Sequence, residues 1–382
     1  MHTFNEQKNK FHKFDFVFVH PHLEYGGAER QTVLISNALV KRGMSVAIFL
    51  HQSKGGLLSE LDPRVSVYSF LSDNHIMTPL AAFSLLLFLR RVEPTVVVAK
   101  LWSSVFVLGL ARKLLNHRLY FYENLDPKEH VKYIRFGFLK QKIVKRIFLR
   151  SENLIANSKS TLRSMMDVYG LKNQPQIIFP CLDLDQVKKL SLKKLGTNST
   201  GSQRIVVVSI GRLTHLKGFD IALKALIETG LNIEWLVIGD GELRHELPKW
   251  VCAAPSIKIT MLGTLNNPYP AISQADLLLH CSRSESFGAV LIEALALRIP
   301  VVATFTAGSR EISTQIEDSY ALQLASSSNT YDLALKIRNA VENPIEPPRW
   351  ELVEKHLGVY SLQGVVEQWL DIRRAFEEGG QN

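Results

Sequence analysis

Short apolar stretches alternate with helix-length segments along most of the chain. In the first half they lie at 14–20, 44–50, 95–99, 118–122 and 153–157, and in the second half at 204–211, 234–240, 257–263, 276–281 and 300–304. Nearly continuous apolar strands that alternate with helices are typical of parallel sheets covered on both faces. The pattern predicts an α/β protein with two Rossmann-like, doubly wound parallel sheets.

One stretch interrupts this alternation. Residues 191–203, SLKKLGTNSTGSQ, have no apolar period and are rich in Ser, Thr, Gly and Lys, which indicates a surface loop. We expect a domain boundary there, with 1–190 and 191–382 forming two domains that face each other across a cleft. The segment 361–379 has apolar residues at helical spacing. It is predicted to be a closing helix that packs back toward the N-terminal domain.

Composition narrows the class of protein. A chain of 382 residues with 46% hydrophobic residues suits two globular domains and excludes a disordered or fibrous protein. Cys181, Cys252 and Cys281 form neither a CxxC pair nor a cluster, which favours a reducing compartment over a disulfide framework or a zinc site. The polar start, MHTFNEQKNKFHKFDF, lacks the apolar part of a signal peptide. We therefore expect a cytoplasmic location.

The net charge of +9 is concentrated in one segment, because 128–150 holds eight Lys/Arg residues and a single acid, Glu129. Within 138–150, the apolar residues at helical spacing are Leu139, Ile143 and Ile147, and the basic residues beside them are Lys140, Lys142, Lys145 and Arg146. Such a segment is attracted to anionic lipid, although its apolar side would equally fit the core of the domain. We expect an anionic membrane surface as a partner and no nucleic acid; the pattern sets no oligomeric state.

Charged residues follow the strands of the second half, and ligand sites of parallel sheets form at the carboxyl ends of strands. In GRLTHLKGFD (211–220), Arg212 and Lys217 come directly after an apolar strand and lie close to Gly211. A guanidinium and an ammonium group in one place would neutralise a diphosphate. A solvated basic loop is the alternative interpretation.

Two other glycine-rich turns follow strands. Gly239 and Gly241 allow a tight turn, and Asp240 between them would suit a metal ion, although a structural turn explains the pattern as well. GGAER (26–30) follows the first strand, but it is not the GxGxxG of a dinucleotide site, and no acidic residue near the end of the second strand replaces the ribose carboxylate. A nicotinamide dehydrogenase is therefore disfavoured.

The segment SESFGAVLIEAL (284–295) combines a helix start with two carboxylates. The helix is expected to begin near Phe287, and its amides free to bind a phosphate are those of Gly288, Ala289 and Val290. Glu293 would accept hydrogen bonds from a ribose diol, and Glu285 would face sugar hydroxyls. The alternative is a surface loop followed by a solvent-facing helix position. His280, at the preceding strand end, is interpreted as a packing residue.

Taken in order, these motifs resemble those of a known family. They are GGAER (26–30), RVEPTVVV (91–98), GRLTHLKG (211–218), GDGELR (239–244), MLG (261–263), the E-x7-E of Glu285 and Glu293, and PVVAT…GSREI (300–312). Their order and spacing over nearly the whole chain are similar to those of retaining nucleotide-sugar glycosyltransferases of the GT-B fold, in glycosyltransferase family four.

The resemblance implies a role for each matched residue. Arg212 and Lys217 would bind the donor diphosphate and stabilise it as it leaves. Glu293 would hold the nucleotide ribose, and Glu285 the transferred sugar. The glycines near the phosphates would be Gly26, Gly27, Gly211 and Gly239. Many relatives have a histidine where this chain has Glu123, so Glu123 is a candidate to replace it or to orient the acceptor.

The resemblance also implies the reaction. Retention would proceed by front-side attack without a protein nucleophile, and the lack of a DxD motif agrees with a reaction that needs no metal and no cofactor. The expected donor is a UDP-sugar. The expected acceptor is a glycan or lipid-linked saccharide in polysaccharide or lipopolysaccharide synthesis, at the inner face of the plasma membrane. The alternatives are a GT-B-fold sugar-nucleotide epimerase and a non-catalytic sugar-nucleotide-binding subunit.

Overall fold

A computed structural model of the protein describes residues 13–70, 78–115, 118–193, 204–252, 254–316, 319–327 and 329–379. The chain divides into two compact units. Unit 1 comprises Met1–Asn157, Leu162–Ile178 and Val366–Asn382, and unit 2 comprises Ser158–Thr161 and Phe179–Val365.

The division after Ile178 precedes the expected boundary at 190/191. The division falls earlier because Leu182 and Val187 are buried in the core of unit 2, and the helix that contains Val187 therefore belongs to that unit. The polar stretch that motivated the boundary lies mostly outside the described residues, which omit 194–203.

Each unit is built on one parallel sheet, which confirms the α/β prediction. The strands of unit 1 are β1 (Phe16–His20), β2 (Val46–Leu50), β3 (Ser66–Ser69), β4 (Val96–Lys100), β5 (Arg118–Glu123), β6 (Asn153–Ala156) and β7 (Gln176–Ile177), in the order β3-β2-β1-β4-β5-β6-β7. Those of unit 2 are β8 (Ile205–Ile210), β9 (Ile233–Ile238), β10 (Ile257–Gly263), β11 (Leu277–His280), β12 (Val301–Thr304) and β13 (Leu322–Ala325), in the order β10-β9-β8-β11-β12-β13.

Helices connect the strands. They are α1 (Gly27–Lys41), α2 (Thr78–Val92), α3 (Leu101–Ala111), α4 (Pro127–His130), α5 (Gly137–Phe148), α6 (Lys159–Tyr169), α7 (Leu184–Ser191), α8 (Phe219–Glu228), α9 (Leu247–Val251), α10 (Tyr269–Ser273), α11 (Ala289–Ala296), α12 (Ala307–Ser313), α13 (Thr330–Glu342), α14 (Pro347–Leu357) and α15 (Leu362–Gly379). Within the described ranges, no helix is long and apolar enough to cross a membrane.

The sheet of unit 2 is covered on both faces. On β11, Leu278 is buried in one hydrophobic cluster, whereas its neighbours Leu277 and Leu279 are buried in another. Successive side chains of a strand point to opposite faces, so both faces must be apolar. This requirement explains why the inner strands are readable as apolar runs. The three strands that the sequence did not predict, β3, β7 and β13, lie at sheet edges and are only partly buried.

The end of the chain contributes to the core of unit 1. Trp369, on α15, is 1% exposed, and its ring centre lies 5.7 Å from that of Phe18 and 6.1 Å from that of Tyr122. The buried ammonium group of Lys100 lies 5.9 Å from the same indole, within cation–π range. Thus Trp369 covers the carboxyl ends of β1, β4 and β5 with one large aromatic surface.

We predict that Trp369→Ala lowers the free energy of unfolding of unit 1 by about 3–5 kcal/mol, because it removes a buried indole and leaves a cavity. Chemical denaturation followed by circular dichroism measures the change. Tyr331→Ala is the control, since its side chain is 65% exposed; the control should change stability by less than about 0.5 kcal/mol. Equal effects of the two substitutions would contradict the packing role.

Candidate active site

An ion pair joins the loops that follow β8 and β11. These strands are parallel neighbours in the sheet of unit 2, so the loops that follow their carboxyl ends lie side by side. Lys217 lies in the first loop and Glu285 in the second, and Lys217 Nζ is 2.6 Å from Glu285 Oε2. Their side chains are 24% and 18% exposed, so the pair is largely removed from water. The structure thereby brings together two of the residues that the sequence predicted as functional.

His280 completes this cluster. Its Nε2 lies 3.3 Å from Glu285 Oε2 and 3.0 Å from Ser282 Oγ. Burial alone would raise the pKa of the Glu285 carboxyl, but the charge of Lys217 and the hydrogen bond from His280 outweigh it and hold that pKa well below its usual range. Burial lowers the pKa of His280, with Lys217 acting in the same direction. The cluster thus contains a carboxylate, an ammonium group and a neutral imidazole.

The packing interpretation of His280 was therefore incomplete, because the side chain is buried and also contacts Glu285. Its position at the carboxyl end of β11 was the only signal in the sequence that could have indicated this. Sequence reasoning also missed Arg283, whose guanidinium forms an ion pair of 2.6 Å with Asp220. The backbone N–H of Arg283 donates to Leu216 O at 2.8 Å, and this bond fixes the Lys217 loop beside the Glu285 loop.

Helix α11 begins at Ala289, and Gly288 caps it in the left-handed region with φ 80°. The first N–H groups of a helix have no acceptor within it, so the amides of Ala289 and Val290 are placed to bind an anion. The helix starts slightly later than the predicted start near Phe287. The ring of Phe287 is buried, 5.4 Å from that of Tyr360, so its side chain packs in the core and only its backbone remains for a ligand.

Glu293 lies in the second turn of α11 and is partly buried. The hydroxyl of Tyr269 donates to Glu293 Oε1 at 3.3 Å. The solvent-facing alternative therefore does not describe this residue. A carboxylate can accept several hydrogen bonds, which is the kind of contact that a diol makes.

The glycines after β8 and β9 pack backbone against backbone. Gly239 has φ 137°, and a side chain there would collide with the carbonyl oxygen of Gly211. Arg212 follows Gly211 and is exposed. Asp240 pairs with Arg244 at 2.8 Å and accepts from the N–H of Gly241, as expected of a structural turn. Across the described ranges, no group of three His, Cys, Asp or Glu side chains is arranged to hold a metal ion.

The other predicted residues lie in unit 1. Gly26 caps α1, and Gly27 is its first residue. Glu123 ends β5 and is 1% exposed. Its carboxylate accepts hydrogen bonds from Trp102 Nε1 at 2.9 Å and from the Tyr169 hydroxyl at 3.2 Å. Burial raises the pKa of Glu123 to about 7, although these hydrogen bonds oppose the rise.

Comparison with known proteins agrees with this arrangement. Residues 25–186 match the family model described as Glycosyltransferase Family 4, and residues 194–355 match the one described as Glycosyl transferases group 1. Together the two matches cover most of both units. The chain is a GT-B nucleotide-sugar glycosyltransferase, which confirms the predicted fold class.

Two similar proteins are described as glycosyltransferases. An alpha-1,4-N-acetyl-D-galactosaminyltransferase of Campylobacter jejuni, which acts on a GalNAc-containing diNAcBac-PP-undecaprenol, is 24% identical over 93% of this chain and 97% of its own length. The lipopolysaccharide core biosynthesis glycosyltransferase LpsE of Rhizobium meliloti is 26% identical over 74% of this chain and 77% of its own.

Solved structures share the fold. HepE of Anabaena in complex with UDP superposes with a TM-score of 0.78, at 19% identity, over 94% of this chain and 100% of that one. WaaG, a glycosyltransferase involved in lipopolysaccharide biosynthesis, superposes with a TM-score of 0.71, at 18% identity, over 94% of this chain and 99% of its own.

We predict that Glu293→Ala weakens nucleotide-sugar binding roughly tenfold or more, since a hydrogen bond to a charged group is worth about 1.5–3 kcal/mol. Isothermal titration calorimetry with a UDP-sugar measures the change. Glu351→Ala, which alters an exposed carboxylate on α14, should leave the affinity unchanged. An unchanged affinity in a folded Glu293→Ala protein would remove Glu293 from the site.

A second prediction concerns Glu123. Because its pKa is raised in the folded protein, its ionisation destabilises the fold, so stability falls as pH rises from the unfolded-state pKa of about 4.3 to about 7. The loss should be on the order of 3 kcal/mol. Glu123→Gln should remove this dependence, whereas Asp371→Asn, at a side chain 65% exposed, should retain it. Thermal unfolding across this pH range gives the comparison; parallel curves for wild type and Glu123→Gln would contradict it.

Proposed function

We propose that this glycosyltransferase transfers a sugar from a UDP-sugar, with retention and without a metal ion, to a lipid-linked saccharide in cell-surface polysaccharide or lipopolysaccharide synthesis. The observation that carries the proposal is the Lys217–Glu285 ion pair in unit 2. It places a fixed cation beside a carboxylate at the carboxyl ends of the strands of unit 2, close to the start of α11.

The cations and backbone amides near the Lys217–Glu285 pair would stabilise a departing diphosphate. Negative charge grows on the diphosphate as the bond to the anomeric carbon breaks, and preorganised cations and amides stabilise that charge most in the transition state. Lys217, Arg212 and the first amides of α11 would supply this stabilisation. Glu285 holds the Lys217 ammonium group in place, so little reorganisation is needed when the donor binds.

Retention follows if the acceptor hydroxyl attacks the anomeric carbon on the face from which the diphosphate leaves. The new C–O bond forms as the old one breaks, and the proton of the acceptor passes to a departing phosphate oxygen. No side chain forms a bond to the sugar. Glu285 would accept hydrogen bonds from the sugar hydroxyls, and Glu293 from the ribose, in agreement with their positions on either side of the start of α11.

The substrate classes are supported by similar proteins. HepE has been crystallised with UDP and with UDP-glucose, and the Campylobacter enzyme acts on an undecaprenol diphosphate saccharide. Lipid-linked acceptors are held at a membrane. We therefore extend the proposal to peripheral association with the inner face of the plasma membrane, through the basic residues of α5.

The test incubates the protein with radiolabelled UDP- and GDP-sugars and a lipid-linked saccharide. We expect transfer from a UDP-sugar, retained configuration in the product and full activity in EDTA. Hydrolysis without transfer would favour the epimerase alternative, and absence of both reactions would favour a non-catalytic subunit. Loss of activity in EDTA that magnesium restores would overturn the metal-free mechanism.

Arg212→Ala provides the mutational test. Arg212 is exposed, so the substitution leaves no buried partner, whereas Lys217→Ala would leave the Glu285 carboxylate unpaired. We predict that Arg212→Ala lowers kcat roughly 100-fold or more with little change in stability. Arg204→Ala is the control, because Arg204 precedes β8 and therefore lies at the amino ends of the strands, away from the predicted site. Equal kcat values for the two variants would exclude Arg212 from the reaction.

A further inference from the structure

Three large apolar side chains are exposed where α5 begins. Phe136 is 64% exposed, Phe138 71% and Leu139 60%. We call these three residues the apolar corner. Exposed apolar residues are common on soluble proteins, and α2 also exposes three, so exposure alone does not mark a site. The corner differs in that its three residues lie within four positions and beside several basic residues.

The backbone holds this corner in a fixed conformation. Phe136 lies in the left-handed region, with φ 58° and ψ 32°, where Gly or Asn is ordinarily found. Gly137 is buried directly beneath the carbonyl group of Val131, and a side chain at Gly137 would collide with it. The N–H of Gly137 also donates to Ile134 O at 3.0 Å. An uncommon conformation that is held by its surroundings, with an aromatic ring displayed to solvent, is a sign of function.

The corner is not the core-facing side of α5. The fully buried apolar side chains of this helix are Val144 and Phe148, at 0% and 1% exposed, and the partly buried Ile147 packs against the same core. The spacing of Leu139, Ile143 and Ile147 in the sequence admitted a face that packs inside the domain. The structure packs Ile147 against the core but leaves Leu139 and Ile143 exposed, at 60% and 40%. An apolar stripe therefore extends from the corner along the helix.

Positive charge surrounds this stripe. Among the described residues, none of these four forms an ion pair: Arg135, Lys140, Lys142 and Arg146. The basic residues Lys128 and Lys132 are already paired, with Asp167 and Glu129. The first turn of α5 has no acidic residue, although acidic residues stabilise helix N-termini. Arg146 lies in the last turn, where the dipole favours a cation, so only the positive charge near the start of α5 opposes the dipole and suits an external anion there.

We propose that the apolar corner inserts into the interfacial region of an anionic bilayer, while the surrounding cations contact lipid headgroups. The inference rests on the proposed lipid-linked acceptor. Three side chains are too few for a stable protein interface, which buries about 800 Å² on each partner. A bilayer requires no shape complementarity, and its binding strength depends on buried apolar area together with attraction to anionic lipid. Insertion adds a salt-resistant component that adsorption of the cations alone lacks.

Three variants of the full chain test the proposal on vesicles of phosphatidylglycerol and phosphatidylethanolamine. The corner variant carries Phe136→Asn, Phe138→Ser and Leu139→Ser; asparagine tolerates the left-handed conformation, so folding is preserved. The matched control carries Leu80→Ser, Phe83→Ser and Leu87→Ser, at side chains of α2 that are 47%, 58% and 51% exposed. The charge variant carries Lys140→Gln, Lys142→Gln, Lys145→Gln and Arg146→Gln.

We expect the corner variant to lose roughly tenfold or more in vesicle partitioning at low and high salt, because burial of the three apolar side chains in the bilayer does not depend on salt. The α2 control should bind like wild type. The charge variant should lose binding mainly at low salt. In a Phe138→Trp protein, brominated lipids should quench the added indole, seen as quenching beyond that of the five native tryptophans in the wild type.

Wild-type partitioning by the corner variant, or no quenching of the Phe138→Trp protein, overturns the proposal. If the wild-type protein is a dimer without lipid and the corner variant is a monomer, then a second copy of the chain covers this face. That result would equally overturn the proposal. Transfer to a detergent-solubilised acceptor is measured in parallel. Failure of that transfer in the wild type counts against the proposed function, whereas failure of quenching alone counts against insertion.

Discussion

A parallel sheet gathers the carboxyl ends of all its strands along one edge, and in this protein the charged chemistry of both units depends on that constraint. In unit 2 the loops after β8 and β11 become neighbours, although Lys217 and Glu285 lie 68 positions apart in the chain. In unit 1 the same geometry collects His20, Lys100 and Glu123 at the ends of β1, β4 and β5. The apolar strands, covered on both faces, hold these edges in place.

Two carboxyl groups buried at the carboxyl ends of these strands have pKa values shifted in opposite directions. Glu285 has a cation 2.6 Å away, so its pKa falls well below the usual range despite burial. Glu123 has only neutral hydrogen-bond donors, and burial raises its pKa to about 7. The nearest charge, more than the degree of burial, decides the protonation of each group. Glu285 is thus ionised at neutral pH, whereas the pKa of Glu123 lies close to neutral pH.

The surface of unit 1 shows a different balance. A chain selected only for a stable, soluble domain would avoid three exposed apolar side chains, a strained aromatic residue and cations at the start of a helix. All of these features coincide at the start of α5. Their coincidence is the basis of the proposed contact with a membrane, where the same features would be stabilising.

The sequence by itself determined the inner strands, the closing helix and the order of the family motifs, because apolar runs and motif spacing are local properties of a chain. It did not determine three of the four edge strands, β3, β7 and β13, whose partial burial leaves a weak pattern. Tertiary structure alone decided that His280 meets Glu285, that the ring of Phe287 turns into the core, and that Leu139 faces outward. Each of these depends on which side of an element packs against the rest of the fold, and periodicity cannot specify that when both sides are apolar or when the partner is distant in the chain.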